Sequence, residues 1–170
     1  MIKQDILGKQ AKIVYLGIGS NLGNRKQNIE ISKYKLHSDH LKIICVSNYY
    51  ESLSWPDPNK PKFLNIVLKV KTILTPQNLL SFCKLIEKDL GRKKSSRNSP
   101  RECDIDIIDY NGIISKNRII LPHRLMHKRN FVLIPMYEIT KTWKHPKTKE
   151  NIKKLIGLLS NKDIRSIKQI

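Results

Sequence analysis

The sequence has no long apolar segment and few cysteines. Nowhere do about 18 apolar residues run together, and the N-terminal residues lack the apolar core of a secretory signal. The cysteines are Cys45, Cys83 and Cys103, which lie far apart and form no Cys-x-x-Cys pair. This spacing indicates neither a zinc site nor a disulfide framework. We therefore expect a soluble, cytoplasmic protein with reduced thiols and no membrane partner.

Acidic residues are also scarce. The chain has 14 Asp and Glu residues against 33 Lys and Arg residues, which gives a formal net charge of +19. Such a charge fits anionic small-molecule substrates, nucleic acid, or a lysine-rich composition with no partner behind it. We favour composition for most of the charge, because the lysines are spread over every segment and are not gathered into one stripe.

The chain length of 170 residues fits one domain with a substantial core. We assign residues 1–170 to a single domain in which residues 1–11 form an N-terminal extension, and we find no internal repeat. Apolar periodicity predicts strands over residues 12–19, 43–52 and 63–72, and helices over residues 25–37, 130–139 and 149–159. A further helix begins at Thr75-Pro76 and ends at Gly91.

With the strand described next, these elements follow the order β-α-β-β-α-β, then an extra hairpin and C-terminal helices. That order predicts an α+β fold, in which a ferredoxin-like antiparallel sheet carries packed helices. The topology by itself does not indicate a function, because many enzymes and RNA-binding domains share it.

Asp104 and Asp106 alternate with Ile105 and Ile107 in one predicted strand. Since side chains in a strand point alternately to opposite faces, both carboxylates face one way and the isoleucines face the core. Two such carboxylates, about 7 Å apart at Cα, repel each other unless a cation lies between them, and oxygen ligands suit Mg²⁺. The same pattern also fits a solvated strand face without metal. Asp109 has the opposite parity, so we do not expect it to join the pair.

The segments on both sides of this strand add to the pattern. Asn111-Gly112 predicts a type I′ turn into a short second run, Ile113-Ile114. Arg101 lies close enough to Asp104 for its guanidinium to bind an anion held by the same metal. The basic segment Arg92–Ser99 is either a solvated connector or a mobile clamp for a triphosphate.

Three ordered motifs resemble the 6-hydroxymethyl-7,8-dihydropterin pyrophosphokinase family of folate biosynthesis. They are Gly19-Ser20-Asn21-Leu22-Gly23-Asn24-Arg25, the segment Arg101–Ile108, and Leu121-Pro122-His123. The resemblance covers residues 12–160. It implies that the chain transfers the pyrophosphoryl group of ATP to the hydroxymethyl group of the dihydropterin and releases AMP.

The resemblance also implies roles for individual charged residues. Asp104 and Asp106 would hold two Mg²⁺ ions, with ATP as the co-substrate, and Arg92 and Arg101 would act in catalysis. The implied ATP contacts are Arg118, His123 and Arg129.

A pterin site is implied in the same way. The matched positions are Ser52, Trp55, Phe63, Asn65 and Phe131. Phe63 and Asn65 are two residues apart on a strand and share a face, which suits one pocket. A flat ring with a row of donors and acceptors calls for aromatic faces and an amide. Phe63 and Phe131 also fit ordinary core positions, and Trp55 fits a packed loop.

The chain departs from the family pattern at two places. Asn98-Ser99 stands where family members have Trp-Gly, which removes an aromatic lid contact. Arg124 stands after His123 where an aromatic residue can occur, so the nucleotide contact there differs.

Two other functions fit part of the pattern. An RNA-binding module on the same topology would explain the charge, but the sequence lacks the aromatic pairs on central strands that stack bases. A magnesium-dependent kinase or nuclease could use the same aspartates on another substrate. We expect small-molecule substrates, no nucleic-acid partner, and a monomer.

Overall fold

The computed structural model describes residues 10–92 and 98–170. The strands are β1 (Lys12–Ser20), β2 (Leu41–Val46), β3 (Tyr50–Ser52), β4 (Phe63–Thr72), β5 (Asp104–Tyr110) and β6 (Lys168–Gln169). The helices are α1 (Arg25–Leu36), α2 (Pro76–Asp89), α3 (Asn130–Ile139), α4 (Ile152–Gly157) and α5 (Asn161–Arg165). None of the helices in the described ranges is long and apolar enough to span a membrane.

The strands form one antiparallel sheet in the order β5-β1-β4-β3-β6, with β2 also paired to β4. The two helices α1 and α2 connect β1 to β2 and β4 to β5. The predicted α+β fold with a ferredoxin-like arrangement is therefore confirmed. The second central strand, β4, extends over Phe63–Thr72, and α3 over Asn130–Ile139, as the periodicity predicts.

Apolar layers cover both faces of the sheet. The first layer packs α1 and α2 against one face and includes Leu16, Ile29, Leu79 and Ile105. The second layer packs α3 and α4 against the opposite face and includes Tyr15, Val67, Leu133 and Trp143. The second layer covers only part of its face, and the candidate site described below lies on the remainder.

The predicted strand over residues 43–52 is wrong at its centre, where Ser47 divides it into β2 and β3. Between these two strands, the chain has one residue more than the facing stretch of β4. The Ser47 amide donates to the Val67 carbonyl at 3.0 Å, and the Ser47 Oγ accepts from the Val67 amide at 2.9 Å. A side chain thus replaces one main-chain partner, and the regular ladder stops there.

The predicted helix over residues 149–159 is also too long, because α4 starts only after Asn151. The Asn151 Oδ1 accepts from the Lys154 amide at 2.8 Å and caps the helix. Lys149 has a φ of +62°, which a right-handed helix does not accommodate. The residues after α4 form the separate short helix α5 and the short strand β6.

The extra hairpin predicted after β5 is reduced to a turn and a single bridge. Asn111 and Gly112 have φ values of +50° and +72°, as a type I′ turn requires. The run Ile113-Ile114 does not continue as a strand, and a lone bridge joins Ser115 to Leu121. Both isoleucines are exposed, so pairing them with β5 would bury little apolar surface.

A bulge in β5 changes the face of its last residues. Ile107 pairs with Leu16, but Asp109 pairs with Tyr15, so Ile108 is an extra residue in the ladder. After the bulge, Asp109 lies on the same face as the two aspartates of the predicted metal pair. The expectation that it stays apart from that pair is confirmed, but the parity argument behind it is wrong.

Asp109 stays apart because it is buried with partners of its own. It accepts hydrogen bonds from Trp143 Nε1 at 2.8 Å and from the Gly112 amide at 3.0 Å. Burial raises the pKa of the Asp109 carboxyl, and these hydrogen bonds offset part of the rise. Asp109 therefore anchors the segment after α3 to the sheet.

The substitution Trp143→Phe should reduce the free energy of unfolding at pH 7.5 by about 2 kcal/mol, since the buried Asp109 carboxylate loses a donor. The folded-state pKa of Asp109 lies above its unfolded value, so lowering the pH favours the folded form in which Asp109 is protonated. A protonated Asp109 needs the Trp143 donor less than a carboxylate does, so the loss should be smaller at pH 5. Urea unfolding at the two pH values measures the difference. Equal losses at both would contradict a charged Asp109 as the partner of Trp143.

Candidate active site

A pocket with about 680 Å³ of space, its open mouth included, lies on the α3 face where β1 ends and β5 begins. Ten of the predicted site residues line it: Ser52, Trp55, Phe63, Asn65, Arg101, Asp104, Asp106, His123, Arg129 and Phe131. Arg92 is not among the lining residues but contacts Asp104. Arg118 is exposed in the loop after β5 and does not line the pocket, so its role stays a prediction.

Two glycines of β1 make room for the pocket. Gly17 and Gly19 share one face of the strand and both line the cavity. A Cβ at Gly19 would lie 3.1 Å from Asn65 Oδ1 and 3.2 Å from Phe63 Cδ1. Any larger residue would therefore displace the side chains predicted to contact the pterin. The Gly-Ile-Gly alternation was a signal for this floor that the sequence analysis did not use.

Asp104 and Asp106 share this face, as predicted, but their surroundings differ. Arg92 Nη1 donates to Asp104 Oδ1 at 2.7 Å, and Arg101 Nη2 donates to Asp104 Oδ2 at 2.7 Å. Burial raises the pKa of Asp104, but the charges of Arg101 and Arg92 outweigh it and the pKa lies below its usual value. Asp104 is therefore a carboxylate at neutral pH.

Asp106 lies next to a different pair of side chains, Arg129 and His123. Arg129 Nη1 lies 3.4 Å from Asp106 Oδ2, and His123 Nε2 lies 3.8 Å from the same oxygen. Burial lowers the pKa of His123, and the nearby charge of Asp106 offsets part of that change. A neutral His123 can donate or accept one hydrogen bond at Nε2, depending on its tautomer.

The pocket combines guanidinium groups with aromatic faces. Arg101 lies over the Phe63 ring at 5.5 Å, and Arg129 lies 5.3 Å from Trp55 and 5.5 Å from Phe131. The Nε atoms of both arginines are buried and have no hydrogen-bond partner within the described ranges. Buried, unpartnered donors of positive charge suit an anionic ligand.

Comparison with known proteins agrees with this geometry. The family model for 7,8-dihydro-6-hydroxymethylpterin-pyrophosphokinase (HPPK) matches residues 15–141. The chain is 42% identical over 134 residues to the 2-amino-4-hydroxy-6-hydroxymethyldihydropteridine pyrophosphokinase of Aquifex aeolicus, covering 78% of this chain and 83% of that protein. The chain belongs to the HPPK family.

Some HPPK relatives are much longer than this chain. The folic acid synthesis protein FOL1 of Dictyostelium discoideum is 44% identical over 135 residues, which cover 79% of this chain but 20% of that protein. A crystal structure of Plasmodium falciparum HPPK-DHPS A437G with pteroate superposes with a TM-score of 0.73 at 17% identity. That superposition covers 99% of this chain and 48% of the other, and it shows that the two share a fold.

The residues of this pocket fit a magnesium–nucleotide site. Mg²⁺ in nucleotide enzymes is held by one or two carboxylates together with phosphate oxygens and water, not by an all-protein cage. The pocket offers two carboxylates, Asp104 and Asp106, on one strand face. Within the described ranges, no cluster of three or more His, Cys, Asp or Glu residues could hold a metal. The donor set therefore matches a metal that arrives with a phosphate ligand.

Glu87 does not line the pocket, but it holds Arg92 and the start of β5, and the sequence analysis missed this role. It is 1% exposed, and its carboxylate accepts from the Ile105 amide and from Lys84 Nζ, each at 2.8 Å, and from Arg92. Arg92 thus lies between two carboxylates, and their charges outweigh burial and raise its pKa. The available signal was a charged residue on the buried face of α2, four positions after Cys83.

Asn21 was also missed as a connecting residue. Its Nδ2 donates to the Pro61 carbonyl at 3.1 Å, and its Oδ1 accepts from the Arg101 amide at 2.8 Å. The Asn21 amide donates back to the Arg101 carbonyl at 3.1 Å. One buried side chain therefore ties the loop that carries Trp55 to the backbone of Arg101.

The structure describes only the two ends of the loop Arg92–Ser99, so the lid prediction is not tested. Lys93, Lys94 and Arg97 lie outside the described residues. At one end Arg92 bonds Asp104, and at the other the Asn98 carbonyl accepts from Lys60 Nζ at 2.9 Å. Closure of this loop over a triphosphate stays a prediction.

The substitution Glu87→Gln should lower the free energy of unfolding by about 1–2 kcal/mol, because Arg92 and Lys84 lose a charged acceptor while the Ile105 amide keeps one. The matched control is Glu150→Gln, which removes an exposed ion pair of 2.9 Å with Lys154. The control should change stability much less than Glu87→Gln does, because solvent screens an exposed ion pair. Urea unfolding of both variants measures the difference, and equal changes would contradict a special role for Glu87.

Proposed function

We propose that the chain transfers the pyrophosphoryl group of ATP to the hydroxymethyl group of 6-hydroxymethyl-7,8-dihydropterin and releases AMP, in folate biosynthesis. The observation that carries the proposal is one pocket lined by two chemically different groups of side chains. Asp104, Asp106 and Arg101 belong to the charged group, called the charged wall below, and Phe63 and Phe131 belong to the aromatic group, called the aromatic wall. Family membership supports the same reaction.

The charged wall suits the triphosphate. Asp104 and Asp106 would hold two Mg²⁺ ions, which would neutralise the negative charge that develops during transfer. Arg92 and Arg101 each donate a hydrogen bond to Asp104, and we expect their guanidinium groups to contact phosphate oxygens. Arg129 and His123 lie beside Asp106 and would contact the nucleotide. Arg118 would have to reach the nucleotide from its exposed loop.

The aromatic wall suits the pterin. Phe63 and Phe131 would stack on the ring, and Trp55, 45% exposed, would cover it from the loop before β4. Asn65 Nδ2 donates to Ser52 Oγ at 3.0 Å, which orients the Asn65 amide. An oriented amide in a buried site can read the donor and acceptor edge of the ring.

The two walls bring the attacking hydroxyl and the β-phosphorus together. Attack in line on the β-phosphorus forms the new P–O bond while the bond to the α-phosphate oxygen breaks, and AMP leaves. Such chemistry depends on positioning and on charge stabilisation more than on a strong base. The fixed guanidinium groups of Arg92 and Arg101 would supply the stabilisation of charge without rearranging during the reaction.

A monomer in the cytoplasm is part of the proposal. The net charge of +19 opposes self-association of identical chains. All three cysteines are free, and burial raises the pKa of Cys83 and Cys103 to about 12, so these thiols are unreactive. Free thiols fit a reducing compartment that also supplies ATP.

The deciding assay supplies the purified protein with ATP, Mg²⁺ and 6-hydroxymethyl-7,8-dihydropterin and separates the nucleotide products. AMP formed in equal amount to pterin diphosphate supports attack at the β-phosphorus. ADP would point to an ordinary kinase, and tight RNA binding without turnover would support the RNA-binding alternative.

The substitutions Asp104→Asn and Asp106→Asn should each lower the rate of AMP formation by at least about 100-fold, because a site built on two carboxylates loses one ligand charge. The fold should persist, since neither change opens a core cavity. Asp89→Asn is the matched control, because Asp89 pairs with Lys35 on the surface at 2.9 Å. Rates near wild type in both site variants would refute the metal assignment.

The substitution Phe131→Ala should weaken pterin binding more than ATP binding, because a stacking face is lost from one wall only. The expected loss in pterin affinity is about tenfold, against less than about twofold for an ATP analogue. Calorimetric titration with each ligand measures both. Equal losses for the two ligands would assign Phe131 to the core instead.

A further inference from the structure

The C-terminal residues 160–170 form a clasp over one side of the molecule. This clasp consists of α5 and β6 and lies beyond residues 15–141, which the HPPK family model matches. Its side chains are mostly exposed, and none of its residues lines the pocket. The clasp is attached at two places, and both attachments lie next to pocket residues.

The first attachment is to β3. Strand β6 pairs with β3 through Gln169 opposite Tyr50 and Lys168 opposite Glu51, and the Ile170 amide donates to the Tyr49 carbonyl at 3.0 Å. Strand β3 has three residues, and β4 is its other neighbour. Because so short a strand is weakly held by one neighbour, β6 fixes it from the outer side. The last residue of β3 is the pocket residue Ser52.

The second attachment is Asn130, the first residue of α3. Its Nδ2 donates to the Asp163 carbonyl at 2.6 Å and to Ser166 Oγ at 3.0 Å. Its Oδ1 accepts from the Phe131 amide at 2.7 Å. Asn130 is 8% exposed and lies between Arg129 and Phe131, which both line the pocket. The amide thus joins the clasp to the start of the helix that carries one aromatic wall.

We propose that the clasp positions the two sides of the pterin site, and that Asn130 is the positioning residue that links it to Phe131. The clasp holds Ser52 through β3 and Phe131 through Asn130, so it sets the distance between them without touching the pterin. The Nδ2 and the Oδ1 of this buried side-chain amide are both hydrogen-bonded. A displacement of the clasp would therefore move Phe131 as well, because otherwise a buried polar group would be left unpaired. The inference rests on the proposed function in taking the pterin as the ligand of these residues.

The sharpest variant is Asn130→Asp. The carboxylate keeps the size of the side chain and an acceptor for the Phe131 amide, but it replaces the donor that faces the Asp163 carbonyl with a second acceptor. The KM for the pterin should rise about tenfold. The KM for ATP should rise much less, since Asp104, Asp106 and His123 are not held by the clasp and only Arg129 of the nucleotide side adjoins Asn130.

Asn151→Asp is the control with the same change of charge. Asn151 caps α4 through its Oδ1, and it contacts neither the clasp nor the pocket. Both KM values should match the wild type. Ile170→Pro is the second variant, because it removes the amide that donates to Tyr49 and adds no charge. It should also raise the KM for the pterin selectively.

A readout without substrate separates this inference from the proposed function. Amide hydrogen exchange at residues 50–52 and 130–133 should quicken together in Asn130→Asp and in Ile170→Pro, and in neither segment of Asn151→Asp. If the wild type made no AMP, the proposed function would fail, and the exchange data would still decide whether the clasp couples the two segments. Unchanged exchange in both clasp variants, or equal rises of both KM values, would overturn the proposal.

Discussion

The arrangement of the site depends on the ion-pair chain Glu87–Arg92–Asp104–Arg101. Glu87 is buried at the end of α2 and also holds the amide of Ile105, so the helix and the start of β5 are tied by the same carboxylate. Arg92 then bridges to Asp104, whose other oxygen is held by Arg101. A buried charge requires such partners, because an unpaired one would be strongly destabilising. The network therefore fixes the carboxylate and both guanidinium groups before a ligand arrives.

One sheet face serves as both core and pocket. On β5, Ile105 and Ile107 fill the layer beneath α1 and α2, while Asp104 and Asp106, which alternate with them, face the other side. On β1, Gly17 and Gly19 keep that side open. Earlier in the strand, Tyr15 packs into the second apolar layer and closes it. The pocket is thus the part of the sheet face where small and acidic residues replace apolar ones, and its depth depends on two missing side chains.

Several elements could be predicted because their signals are local. The N-terminal cap at Thr75 and the type I′ turn at Asn111-Gly112 each need only neighbouring residues, and the structure has both. The predicted alternation along β4 holds only over its last residues, because residues 64–68 are all buried. The break at Ser47 could not be predicted, since it depends on a hydrogen bond to Val67, twenty residues away. A strand pattern carries no information about which partner residue lies opposite it.

The sequence by itself determined that Asp104 and Asp106 share a face, because the period of a strand is a property of the backbone. The resemblance to the family motifs supplied most of the pocket-lining residues, among them Phe63 and Phe131. Only the tertiary structure decided the face of Asp109, since a bulge shifts the register where β5 meets β1. It alone paired Glu87 with the Ile105 amide, because a partner eighteen residues away is set by packing and not by local sequence.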